Sequence, residues 1–146
     1  MNTLIIKIVT NNAITFGIHV LLCLVTWLII IAPFPLTHIG SVIFSITYTI
    51  AFLLLYYLCG RFILHSTGDV WTDLASVTAL AIIITSGMLL GKLSEVFLIV
   101  TMPYYPVAIT LEYSVGIPQI IDKLFTVAIP LLPSLFAWIG MIMKWQ

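Results

Sequence analysis

His19 and Cys23 stand four residues apart in "HVLLC". That spacing sets two side chains on one face of a helix. An imidazole and a thiolate so placed supply two of the three or four ligands that a zinc site needs. The other histidines, His38 and His65, fall in connections at opposite ends of an apolar run, so no third ligand converges on the pair. These residues favour a hydrogen-bonded histidine, and neither a metal nor a cofactor is expected. Cys23 and Cys59 both lie in apolar sequence without a CxxC spacing, where a thiol behaves as a small hydrophobe.

Carboxylates offer little more. Asp69 and Asp73 sit four apart in "DVWTD", and paired acids are the raw material of general acid–base catalysis. Capping and solvation explain them better, with Asp73 predicted as the N-cap of the helix that follows. No Asp or Glu falls within a long apolar run, so no hydrolase site and no proton-coupled pump can be assembled. The chain is therefore expected not to be an enzyme, with no catalytic residue. Hydroxyls are more numerous: Ser41, Ser45 and Thr49 form one stripe, and Thr78, Thr85 and Ser86 lie on the next run. Such groups bond across helices or back to carbonyls one turn earlier. A polar permeation seam needs the same residues, which keeps a small oligomeric transporter or channel as the alternative function.

Composition places all of these groups in a membrane. Hydrophobic residues make up 62% of the 146 and charged residues 7%, against about 45–50% and about 25% in soluble domains. Too few polar groups remain to cover a soluble core. Five Lys/Arg balance five Asp/Glu, so nothing suggests attraction to nucleic acid, and no run of basic residues marks anionic lipid. Residues 1–146 read as a single integral-membrane helical domain, with the lipid bilayer as first partner. Lys7 precedes an apolar stretch as long as a full membrane span, with no A-x-A pattern at its end, so a retained helix is expected rather than a signal peptide.

Four runs are predicted as transmembrane helices: 13–32, 39–60, 74–91 and 124–143. Asn11 and Asn12 read as caps just before the first, and "PFP" at 33–35 ends it. The short connection makes the first two helices an antiparallel hairpin. Tyr56, Tyr57 and Arg61 anchor the end of the second at an interface. "STGD" at 66–69 reads as a turn. Pro130 and Pro133 should kink the last helix, which neighbouring helices make tolerable.

Residues 93–121 fit no span. The apolar part, Val96 to Leu111, reaches only about 24 Å as a helix, short of the ~30 Å hydrocarbon core. Pro103 and Pro106 interrupt it, and Glu95 and Glu112 bound it. The fold expected is all-α, a polytopic bundle of four transmembrane helices with a Pro-broken interfacial or re-entrant segment between helices 3 and 4. Pro103, Tyr104, Tyr105 and Pro106 then form a lip at headgroup depth, a candidate contact surface. Cations distribute three against two in favour of an inside N-terminus whether the chain crosses four times or five, so charge bias does not decide the number.

The third run carries Ala75, Ala79, Gly87 and Gly91 on a four-residue repeat interrupted by Ile83, closing on the GxxxG of "GMLLG". Small residues on one stripe let helix backbones approach, within the chain or against a copy or another protein. The function expected is that of a small multi-pass membrane protein acting non-enzymatically, as a subunit or accessory partner. Its partner would be a second copy or a larger membrane protein. Short loops and the absence of a cleaved signal suit a bacterial cytoplasmic membrane, with the N-terminus cytoplasmic.

Overall fold

A computed structural model of the chain describes residues 3–31, 38–90, 103, 128 and 130–145. Among these it is all-helical: α1 (Thr3–Ile31), α2 (His38–Phe62), α3 (Val70–Leu90) and α4 (Leu131–Ile142), followed by a 3-10 turn at Met143–Trp145. Two helices are long and apolar enough to cross a membrane, through Thr3–Ile29 with mean hydropathy 1.9 and Ile43–Phe62 with 1.8. Residues 93–102 and 104–121, and with them most of the broken segment, lie outside the described residues.

The helices form a ring in which α3 packs on α1, α4 on α3, and α2 on α4. Side-chain bonds define their directions. Moving along α1 from His19 to Thr26, the partner on α2 moves back from Tyr56 to Tyr48, the register of an antiparallel pair. Moving along α4 from Ser134 to Trp138, the partner carbonyl on α3 moves back from Val77 to Val70. Two chain ends therefore meet at one connection. Lys7 Nζ donates to the Ser66 carbonyl at 3.3 Å, and Lys144 Nζ donates to the Leu64 carbonyl at 2.9 Å.

Close approach of α2 and α4 rests on their glycines. A Cβ added to Gly60 would fall on the Ala137 carbonyl, and one added to Gly140 would fall on the Tyr57 carbonyl. Around this crossing the core gathers Phe52, Tyr56, Cys59, Leu64, Val77, Leu80, Ile84, Ala137 and Met141. Pro130 directly precedes α4, and Pro133 lies in its first turn. An N–H there has no helical partner in any case, so the proline costs the helix no bond.

By contrast the backbones of α1 and α2 hardly approach each other. Phe44, Tyr48, Phe52 and Tyr56 recur every four residues on α2, their successive ring centroids 6.1, 6.2 and 5.1 Å apart. Rings of this size hold the two helices apart, and the tyrosine hydroxyls bridge the gap.

Two expectations about helix starts are corrected. Helix α1 begins at Thr3, so Asn11 and Asn12 lie inside it rather than capping it. Helix α3 begins at Val70, so its N-cap is Asp69: the Asp69 carboxylate accepts the Thr72 backbone N–H at 2.8 Å and the Thr72 hydroxyl at 2.6 Å. Those donations hold the Asp69 carboxyl below the ordinary carboxylate range.

Candidate functional site

One face of α1 carries a column of buried polar side chains: Asn11, Thr15, His19 and Thr26. The first three follow at four-residue steps and Thr26 continues the same face two turns further on. The opposite face of the helix exposes Leu21, Leu24, Val25 and Leu28. A helix in water would make the reverse arrangement.

Asn11 is the hub of the column's first turn. Its carboxamide nitrogen donates to the His65 carbonyl at 2.9 Å and to Ser76 Oγ at 3.1 Å, and its oxygen accepts the His65 backbone N–H at 2.9 Å. A single side chain thus joins α1, the 63–69 connection and α3. Asn12 turns toward α3, where its oxygen accepts the Ala79 backbone N–H at 3.2 Å and its nitrogen donates to the Ala75 carbonyl at 3.5 Å. Helix interiors disfavour asparagine because its side chain competes for backbone groups. Here Asn11 directs that capacity to other elements, and Asn12 divides its own between α3 and the Ile8 carbonyl of α1 at 3.1 Å.

Higher in the column, Thr15 Oγ1 turns back to the carbonyls of Asn11 and Asn12, both at 3.0 Å. His19 Nδ1 lies 2.9 Å from the Tyr56 hydroxyl, both groups buried. Thr26 Oγ1 donates to the Leu22 carbonyl at 2.7 Å, which leaves the Tyr48 hydroxyl as donor in the short Thr26–Tyr48 contact.

Asp73 closes the column at the connection. Its carboxylate is buried, and it accepts the Thr67 N–H and hydroxyl at 2.7 Å each and the Ser66 hydroxyl at 2.6 Å. Gly68 between them takes a left-handed φ of 93° that the turn requires. Asp69 is exposed while Asp73 is buried, and each is engaged by neighbouring Ser or Thr, so the two carboxylates do not act on one another.

The stripe proposed for α3 is placed in part. Ala75 is exposed and Ala79 half-buried, and the backbone groups of both face Asn12 of α1. The Gly87 environment, and Gly91 altogether, lie outside the described residues. So do Tyr104, Tyr105 and Pro106 of the expected lip, while Pro103 is fully buried. Among the hydroxyls considered as a seam, Thr49 and Thr78 bond back to the Ser45 and Leu74 carbonyls of their own helices, Ser45 is buried and Ser86 exposed. Ser41 lies outside the described side chains. His19 and Cys23 are both buried, and His19 meets the Tyr56 hydroxyl of α2. Among the described residues no group of three or more His, Cys, Asp or Glu gathers at metal-binding distances.

Sequence reasoning missed the column. The signal was present: polar residues at 11, 15, 19 and 26 repeat at helical spacing and therefore share a face. Reading 11 and 12 as caps removed the first member and hid the pattern.

Fold and column together describe a helical bundle with polar groups turned in and apolar groups turned out. No family model, curated protein or solved structure matches the chain.

Proposed function

We propose that the protein is an integral membrane bundle of four crossings with both termini cytoplasmic, acting non-enzymatically as a subunit or accessory partner through helix packing. The observation that carries this reading is the polarity of α1. Asn11, Thr15, His19 and Thr26 are buried, and Asn11, His19 and Thr26 bond to other helices, while Leu21, Leu24, Val25 and Leu28 face outward. Polar side chains used in this way hold a bundle together in lipid, and the outward apolar faces of α1 and α2 are what another membrane protein would meet. An even number of crossings is supported by the meeting of Lys7 and Lys144 at one connection. Because Thr49 and Thr78 bond within their own helices, a contact role is preferred to a Ser/Thr-lined passage.

Topology and partnership are tested together. Single cysteines after Lys7 and near Gln146, in a background lacking Cys23 and Cys59, are to be labelled with an impermeant thiol reagent in intact cells and in inverted vesicles. Same-side protection of both ends is expected, and opposite-side labelling would refute four crossings. Extraction in mild detergent should then recover a stoichiometric second copy or partner. A chain that stays monomeric after cross-linking in the membrane, with no other protein attached, refutes the subunit role.

A further inference from the structure

Lys7, Arg61 and Lys144 are scattered in sequence, yet all three lie at the same end of the bundle. Among the described residues they are the whole complement of Lys and Arg. The carbonyls that Lys7 and Lys144 reach, those of Ser66 and Leu64, are two residues apart in one connection. Arg61 closes α2 immediately before that connection, its guanidinium donating to the Tyr57 hydroxyl at 2.9 Å. An ammonium has three donors, and one carbonyl takes a single bond.

The acidic side of this end is muted. Asp73 is buried under its Ser66 and Thr67 donors, which leaves Asp69 as the exposed carboxylate of the connection. At the same end stand side chains that water does not favour: Phe62, its ring 5.9 Å from the Arg61 guanidinium, is 70% exposed, and Trp71 in the first turn of α3 is 75% exposed. Trp138 of α4 donates its indole N–H to the Val70 carbonyl at the start of α3 at 3.0 Å. Aromatic residues with cations at one level are the pattern of a headgroup interface. The helix lengths agree, since 29 residues of α1 span about 44 Å against a ~30 Å hydrocarbon core, which carries Lys7 beyond the acyl chains.

We propose that this end of the bundle binds an anionic phospholipid headgroup, with Lys7 and Lys144 at its phosphate, Arg61 beside it, and Phe62 and Trp71 against the upper acyl chains. The proposal rests on the membrane-integral reading. It also gives the leaflet: this end faces the anionic, cytoplasmic one.

Native mass spectrometry of the full chain, released from nanodiscs of equal phosphatidylglycerol and phosphatidylethanolamine, counts the lipids retained. Phosphatidylglycerol should be retained over phosphatidylethanolamine by about threefold or more. That preference should weaken in nanodiscs washed at high salt before release. It should fall to parity in the Lys7→Gln, Lys144→Gln double variant and persist in the Lys7→Arg, Lys144→Arg variant. Equal retention by the unaltered chain overturns the proposal, as does a preference that the Gln variant keeps. A chain that never enters the nanodisc overturns the membrane reading as well, whereas entry without preference overturns the lipid site alone.

Discussion

Asn11 uses its whole carboxamide on groups outside its own helix, so its loss is felt in three elements at once. Asn11→Leu keeps the volume but leaves the His65 N–H and carbonyl and the Ser76 hydroxyl without it. A cost of about 2–3 kcal/mol is expected, read as a fall in thermal midpoint in detergent; a loss no larger than that of Asn12→Leu would refute the hub role. Tyr56→Phe removes only the hydroxyl that meets His19. Single hydrogen bonds of this kind in bilayers contribute about 0.6–1.7 kcal/mol, and a loss well above that range would mean the ring itself had been displaced. Asp69 predicts a pH dependence. Its carboxyl is lowered by the Thr72 donors in the folded chain, so its contribution is fully present above the unfolded carboxylate value and is lost as pH falls through the lower folded value. In detergent at mildly acidic pH, the chain should be more stable than its Asp69→Ala variant, and that margin should shrink below pH ~4. A margin that stays constant or grows with acidification would contradict the capping assignment. The joint at Asn11 and Asn12 was not legible from residue type alone: an Asn pair before an apolar run resembles a cap, and only the neighbours at 65, 76 and 79 make it an interior joint.

Elements are read more securely than their ends. The apolar runs at 39–60 and 74–91 match α2 and α3 to within a few residues, because in each case polar sequence and turn residues bound them. The start of α1 escaped because the apolar criterion stops at the asparagines while the helix does not. One close approach had no motif to announce it: the GMLLG stripe is visible in sequence, whereas Gly60 and Gly140 stand alone on separate helices and come together only when α2 and α4 cross. Adding side chains there should be far more damaging than at Gly17, where an added Cβ would meet no other part of the chain within 4 Å. Gly60→Val or Gly140→Val is expected to cost more than about 3 kcal/mol, seen as loss of folded protein in detergent, with Gly17→Val near neutral. Equal tolerance at all three glycines would show that α2 and α4 do not meet backbone to backbone.

At the scale of the whole molecule, the sequence showed how many apolar runs there are but not which of them touch. Four crossings already put the cations at 7, 61 and 144 on one side, but only the packing brings Lys7 and Lys144 to carbonyls of the same connection, which no window along the sequence contains. The same arrangement sets an order of events during synthesis. Helix α4 supplies the glycine surface against α2 and the Ser134 hydroxyl that meets the Val77 carbonyl of α3, yet it emerges from the ribosome after both. In the membrane-integral reading, a nascent chain that has delivered α1 to α3 therefore holds an open trough, with Gly60 of α2 not yet covered. Closure waits for a segment encoded some 40 residues beyond α3, so the interval between those two moments is when a protease or an insertion factor finds this chain most accessible.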